Sequence, residues 1–518
     1  MNAKIRPFAL SVALLLFAAI ACAESPARTP AAQRDLGDIE FPTSGEPAAQ
    51  SHFERGMLWL HSFEYEDARS EFRKALEVDP DYVMAVWGEA LTFHHPIWVR
   101  QDVERGRRAL ERLGQGREAR LSKAPTVRER GYLEAVEALF GEGTKEERDA
   151  AYAAAMGSLV ERYPEDQEAA SLYALAILGT AQGDRDFATY MRAAAIAEEV
   201  YRRNPRHPGA LHYLIHSYDD PIHGPLGLRA ARVYADVAPS APHALHMPSH
   251  IFFALGMWDE SAASNVDSFD AAAARGRRND HALYWLHYTL LQQGRWNSAR
   301  ERLEFLVAEL KDKDDPRGWR HLAYLRASHG VETGQWPSTP GDVEGKVDSS
   351  LVRAADLYAA GTMGWSKGNL PAAEAALARL KEVAGDLSEG DEAAFLAGQL
   401  EGRLLLYKGQ SDEGIELLRR VADAEDNRSY EIGPPMPPKP TREVLGEGLL
   451  NLGRPAEARQ EFEAVLERFP GRAWTLRSLI RALCKVEDFP AAHRAMGQLE
   501  GYRRNAEPGS EAIPTCDH

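Results

Sequence analysis

One spacing of small, aromatic and proline residues constrains the fold most, because it occurs twice, near opposite ends of the chain. The first copy contains Gly56, Ala68, Phe72, Ala75 and Pro80, and the second contains Leu445, Gly446, Gly453, Ala458, Phe462 and Pro470. Small residues let two antiparallel helices cross closely, an aromatic side chain fills the space between them, and proline starts the next helix. Apolar residues recur every three or four positions along the rest of the chain, and strand-like alternation is absent. The sequence therefore predicts an all-α chain of repeated helix pairs.

These positions resemble the consensus of the tetratricopeptide repeat (TPR) family. Weaker copies of the pattern stand at Gly256 and Trp258; Gly294, Trp296 and Ala299; Gly361, Gly368 and Ala373; Gly402 and Gly409; and Phe489 and Ala492. The resemblance covers most of the chain between about residues 48 and 500. It implies TPR-like helix-turn-helix units stacked into a right-handed superhelical solenoid, because one pair cannot bury its apolar face alone. It also implies a concave groove that binds a protein or peptide.

The first 23 residues are typical of a bacterial export signal. Lys4 and Arg6 precede an apolar run from Phe8 to Ile20, which is too short for a permanent membrane anchor. Ala21-Cys22-Ala23 fits signal-peptidase cleavage, but Ala19 to Cys22 also resembles a degraded lipobox, with Cys22 as a lipid anchor. Both interpretations place the protein outside the cytoplasm, as a periplasmic, secreted or membrane-anchored protein.

Composition suggests further boundaries. We expect a disordered Pro/Ala-rich linker at 24–47, an N-terminal TPR-like lobe at 48–332, a second linker at 333–348, a C-terminal lobe at 349–503 and a polar tail at 504–518. Residues 432–440 contain five prolines, so they should be extended.

Charge and cysteine content limit the partners and the covalent links. Loss of Lys4 and Arg6 with the signal leaves a net charge of about −19, which repels phosphate backbones and makes nucleic acid an unsuitable partner. No later segment has the apolar length of a membrane span. Outside the signal, Cys484 and Cys516 either form a disulfide in an oxidising compartment or stay as free thiols.

The centre of the chain is rich in histidine: nine of the seventeen lie between residues 207 and 287. His212 and His216 are four residues apart, as are His246 and His250, and this spacing brings two imidazoles to one helix face. The candidate metal ligands are His212, His216, His243, His246 and His250, with His223, His281 and His287 beside them in adjacent units and His94 and His95 as secondary candidates. Imidazole-rich ligation suits Zn, Cu or Fe.

Two functions remain open at this stage. In the first, the groove holds a transition metal in a binding, sensing or catalytic protein. His212, His216, His246 and His250 should then meet near a common point, with Asp219 or Asp220 as candidate catalytic base. Pro248 interrupts the second histidine pair, and its kink either spoils the chelate or directs it. In the second, the chain is an envelope assembly module that binds a protein or peptide, needs no metal, and uses the histidines as groove hydrogen-bonders.

Overall fold

The structure, a computed structural model, describes residues 35–516 except Gln182, Asp184 and Glu431. The predicted signal, the possible lipid anchor at Cys22 and residues 24–34 lie outside the described residues. No helix in the described part is long and apolar enough to span a membrane.

The described chain is almost entirely helical. The first helices are α1 (Pro47–His61), α2 (Tyr65–Val78), α3 (Val83–Leu91), α4 (Val103–Leu110), α5 (Arg117–Leu121), α6 (Val127–Leu139), α7 (Lys145–Arg162), α8 (Gln167–Thr180) and α9 (Phe187–Arg203). The central helices are α10 (Pro208–Tyr218), α11 (Gly224–Val237), α12 (Pro242–His246), α13 (Pro248–Ala254), α14 (Trp258–Ala274), α15 (Asp280–Gln292), α16 (Trp296–Leu310) and α17 (Pro316–Thr333). The last are α18 (Ser350–Ser366), α19 (Leu370–Val383), α20 (Glu392–Tyr407), α21 (Ser411–Asp426), α22 (Thr441–Asn451), α23 (Pro455–Arg468), α24 (Ala473–Lys485) and α25 (Phe489–Tyr502).

Short elements join some of these helices. Two-residue strands β1 (His94–His95) and β2 (Arg100–Gln101) pair antiparallel, with His94 opposite Gln101. Single turns of 3₁₀ helix lie at Pro96–Trp98, Glu111–Leu113 and Leu387–Glu389.

Phe72 shows how the predicted repeat positions work. Its fully buried ring lies between Gly56 on α1 and Gly88 on α3, and a Cβ at either glycine would come within 2.6 Å of the ring. Gly446 and Phe462 make the same close contact, at 2.6 Å, near the other end of the chain. Consecutive helices pack in this way along the array, which confirms the predicted all-α, TPR-like fold.

The segment at 35–46 differs from the disordered linker predicted for 24–47. It has no helix, but Leu36 and Phe41 are fully buried in the core. The Asp38 amide donates to the Arg206 carbonyl at 3.0 Å, and the Ser240 amide donates to the Asp35 carbonyl at 3.1 Å. The segment is therefore packed and not disordered. Its start pairs with the turns that contain Arg206 and Ser240, and the Phe41 ring packs against Phe53 and Trp87.

The last helices fold back onto the middle of the array. Trp258 donates its indole N–H to the Gly471 carbonyl at 3.0 Å, and the Ala473 amide donates to Gln292 at 2.8 Å. Buried Arg472 pairs with Glu332 and Glu443. The central and C-terminal helices therefore pack against each other at this contact.

The C-terminal tail is also attached. Cys484 and Cys516 form a disulfide, which selects one of the two predicted alternatives. Glu507 accepts hydrogen bonds from the amides of Asn297 and Ser298, at 2.7 and 3.1 Å. The predicted polar tail thus lies against the repeat array.

Candidate metal centre

The two predicted histidine pairs lie on neighbouring central helices. His212 and His216 share a face of α10, with ring centroids 4.9 Å apart. Pro248 separates α12 from α13, with Met247 between them. The break keeps His246 and His250 together: their Nε2 atoms are 3.2 Å apart. The proline therefore directs the second pair instead of spoiling it.

The histidines assemble into two groups of three, which we call the first and second triads. The first triad is His212, His216 and His243, and one ring nitrogen of each lies within 4.8 Å of those of the other two. The second triad is His246, His250 and His281, by the same measure. The sequence predicted that His212, His216, His246 and His250 meet near one point. The structure divides these four between the triads. The pair on α10 lies beside His243 of α12, and the pair on α12 and α13 lies beside His281 of α15.

Asp219 lies between the triads. Its Oδ2 atom is 3.4 Å from Nδ1 of His216 and 3.0 Å from Nδ1 of His250, while Oδ1 accepts from Arg185 at 2.8 Å. Burial by itself would raise the pKa of Asp219, but Arg185 and the two histidines outweigh burial and hold that pKa below its ordinary value. Asp219 is therefore a carboxylate that orients one ring of each triad.

Hydrogen bonds determine which nitrogen carries the proton in four of the six rings. His212 Nδ1 is 2.6 Å from the His61 carbonyl, and His246 Nδ1 is 2.7 Å from Asn265 Oδ1. The Asn265 amide nitrogen donates to the Ser261 carbonyl at 2.8 Å, so its oxygen faces His246. Carbonyl and carboxylate oxygens only accept, so Nδ1 must donate in these rings, as in His216 and His250 beside Asp219. A neutral ring with a proton on Nδ1 carries a lone pair on Nε2.

These lone pairs have no matching donors. The Nε2 atoms of His212 and His216 are buried without a hydrogen-bond partner. Nε2 of His243, the third member of the first triad, is also buried and has no hydrogen-bond partner. Nε2 of His250 faces Nε2 of His246 at 3.2 Å, so two lone pairs oppose each other. A buried acceptor without a donor is costly, and a cation at that position removes the cost. Metal-binding histidines commonly have this arrangement, in which the second nitrogen donates to a carboxylate or carbonyl.

Burial also keeps the rings neutral. It lowers the pKa of His212, His243, His246 and His281 well below the ordinary value, and it lowers that of His250 despite Asp219. Neighbouring imidazoles add to the lowering in each case. Neutral imidazole is the form that binds a metal.

A third group, His61, Glu168 and His207, has similar spacing but different chemistry. Glu168 accepts from Nε2 of His61 at 2.8 Å and of His207 at 2.9 Å. Nδ1 of His61 bonds the Tyr213 hydroxyl, and Nδ1 of His207 accepts from the Ala210 amide. Every nitrogen is thus satisfied by protein, so this group is a structural network. Sequence reasoning missed it, because His61 and Glu168 are 107 residues apart and carry no spacing signal.

The other predicted ligands lie elsewhere. His223 bonds Asp220 in the turn before α11, and His287 faces His329, with 3.2 Å between their nitrogens. His95 stacks on Tyr65, and buried His94 lies near Tyr152, at 6.2 Å between ring centroids. These four do not join either triad, because the turn and helix crossings that hold them point to other neighbours.

Neither predicted base is free to act as one. Asp219 is occupied by Arg185 and two imidazoles, as described above. Asp220 accepts from the amides of Ile222 and His223, both at 2.9 Å, and pairs with Arg185. Both carboxylates therefore have positioning contacts.

The chain itself covers the second triad. Gly433, in the proline-rich segment, lies so close to Trp285 that a Cβ there would be 2.5 Å from the ring. A cavity of about 20 Å³ remains beside His250, Asp219 and Trp258, which is room for roughly one water. Gly433 thus packs against the Trp285 ring beside the second triad, so the predicted groove is not open at this point.

One stretch of the chain matches a family model. Residues 49–82, which form α1, α2 and their connections, match the model for the tetratricopeptide repeat. This helix pair is therefore similar to a single tetratricopeptide repeat.

Two solved structures are similar to this chain at low sequence identity. The human IFIT1 dimer with m7Gppp-AAAA is 15% identical, with a TM-score of 0.39, and the match covers 92% of this chain and 93% of that one. The APC/C hetero-tetramer Cut9-Hcn1 is 10% identical, with a TM-score of 0.34, and the match covers 91% of this chain and 77% of that one. A search of curated proteins finds no match.

Proposed function

We propose that this TPR-like protein is exported and binds transition-metal ions at its two histidine triads. The observation that carries the proposal is the set of buried Nε2 lone pairs that converge without donors, while Nδ1 of four of the rings faces an oxygen acceptor. Protein interiors seldom leave such acceptors unpaired. Zn, Cu and Fe are the metals that imidazole ligands suit.

The N-terminal sequence supports the location. A basic start, a short apolar run and Ala21-Cys22-Ala23 are typical of exported proteins. The disulfide of Cys484 and Cys516 is compatible with an oxidising compartment.

The proposal is tested by measuring the metal content of the untagged mature protein, purified without chelators, by plasma mass spectrometry. The site variant is His216→Gln/His250→Gln, which removes one ligand from each triad. The matched control is His287→Gln/His329→Gln, which removes two buried histidines that lie outside both triads.

We expect transition metal in the parent and in the control, and its loss from the site variant. Circular dichroism of each apo protein verifies that the variants fold. Absence of metal from the parent even after reconstitution would contradict the proposal. So would equal loss of metal from the control and the site variant.

A further inference from the structure

Each triad has an aromatic ring that contacts all three of its histidines. The Phe63 ring centroid is 4.2 Å from that of His212, 5.6 Å from His243 and 5.9 Å from His216. Phe63 has a positive φ of 55°, which is disfavoured for a residue with a side chain, and its ring is buried. The backbone is thus held in an uncommon conformation that places an apolar ring against the first triad.

Trp285 has the corresponding place at the second triad. Its ring centroid is 4.5 Å from His250, 5.1 Å from His246 and 5.7 Å from His281. The first triad comes from α10 and α12 and the second from α12, α13 and α15, yet each has an aromatic ring that contacts all three imidazoles. A cation within about 6 Å of an aromatic ring centroid, over the face of the ring, is attracted to it. Both rings lie within that distance of the ligating imidazoles.

The ligand count at each triad is low. Among the described residues, no fourth His, Cys, Asp or Glu shares a common point with either triad. Asp219 contacts Nδ1 of His216 and His250, the side of each ring away from Nε2, so it cannot bind the same ion as those Nε2 atoms. A Zn²⁺ ion held by three histidines takes a water as its fourth ligand, whereas Cu(I), a monovalent closed-shell ion, is stable with three ligands and no water.

Charge points the same way. Imidazole ligands bring no negative charge, the rings of His212, His216, His246 and His250 are buried, and Asp219 is shared between triads and already paired with Arg185. Asp220 also pairs with Arg185. Glu64, which accepts from the His243 backbone amide at 3.0 Å, pairs with Arg277 at 3.7 Å. The cost of burying an ion grows with the square of its charge, and repulsion between two ions grows with the product of their charges. Both terms are about four times larger for divalent than for monovalent ions.

We infer that each triad selects a monovalent copper ion, Cu(I), held by three imidazoles against an aromatic ring. This inference rests on the proposed function and names its ligand. The chain then binds two ions, one at each triad, and Asp219 orients one histidine of each triad.

Anaerobic titration of the apo protein with Cu(I), in competition with a chromophoric Cu(I) chelator, measures affinity and stoichiometry. A parallel Zn²⁺ titration uses a zinc indicator. His212→Gln/His243→Gln removes two ligands of the first triad, and His246→Gln/His281→Gln removes two of the second. Phe63→Leu and Trp285→Leu replace each aromatic ring by an aliphatic group, and circular dichroism verifies folding.

We expect two Cu(I) per chain in the parent, one in each triad variant, and Zn²⁺ held more weakly than Cu(I). The Phe63→Leu and Trp285→Leu variants should each bind one Cu(I) roughly three- to thirtyfold more weakly, which is the size of a cation–π contribution. X-ray absorption at the copper edge should show about three nitrogen neighbours.

Two results would overturn the inference and leave the proposed function standing: Zn²⁺ bound more tightly than Cu(I), or copper with four or more ligands. A parent that binds a single Cu(I) would overturn the two-site assignment. Absence of binding for every metal would overturn the proposed function itself.

Discussion

Replacing Asp219 by asparagine separates the orienting role of this carboxylate from its contribution to stability. In the parent, one carboxylate orients His216 in the first triad and His250 in the second, and it also accepts from Arg185. Asparagine keeps the size but loses the charge and one acceptor. Removal of a carboxylate that orients ligating histidines typically costs 10- to 100-fold in metal affinity. We therefore expect a loss of roughly that size at both triads from the single change.

The same change should destabilise the apo protein. Breaking a buried ion pair costs about 3–5 kcal/mol, and we expect the lower end of that range because Arg185 keeps Asp220 as a partner at 3.3 Å. Asp220→Asn is the matched control, since it also removes a buried partner of Arg185 but touches neither triad. Urea denaturation followed by circular dichroism should show similar losses of stability for both variants.

Metal competition should distinguish the two variants. Asp219→Asn should weaken binding at both triads, and Asp220→Asn should leave affinity within about threefold of the parent, which is less than 1 kcal/mol. Unchanged affinity in Asp219→Asn would refute the orienting role. An equal loss in Asp220→Asn would show that the effect is a general disturbance of the turn.

Three further predictions concern the rest of the chain. Burial lowers the pKa of His94 to about 3, so below pH 6.5 the unfolded state takes up a proton on His94 before the folded state does. This proton uptake should lower the free energy of unfolding by about 2 kcal/mol at pH 5. The free energy of unfolding measured in urea should therefore fall less steeply between pH 6.5 and 4 in His94→Gln than in the parent. Parallel pH curves would contradict this. Gly56→Ala should lower the free energy of unfolding in urea by about 1–3 kcal/mol, because the new Cβ would lie 2.6 Å from the Phe72 ring. Gly497→Ala is the control and should be neutral or stabilising, because open space surrounds that position. Equal effects of the two substitutions would argue against the close helix crossing at Gly56. The disulfide of Cys484 and Cys516 joins residues 32 positions apart, so its reduction should lower the free energy of unfolding by about 3–4 kcal/mol. An unchanged urea midpoint in dithiothreitol would contradict that value.

Sequence reasoning reached furthest where the information is local. A helix repeats every 3.6 residues, so the pairs His212 with His216 and His246 with His250 could be placed on shared faces from spacing alone. The same reasoning could not choose between a spoiled and a directed chelate at Pro248, because the answer depends on how α12 and α13 pack. It also included His223 and His287, whose spacing fits but whose neighbours lie elsewhere.

The sequence by itself determined the repeated helix pairs, their close crossings and a histidine-rich centre, because these follow from periodicity and residue size within about 35 positions. Only the tertiary structure decided how the histidines divide into two triads and which nitrogen of each ring is free. The His61 carbonyl that orients His212 is 151 residues away, and Asp219 reaches His250 across 31 residues. Such contacts depend on the rotation and register of packed helices, to which side chains from the whole array contribute.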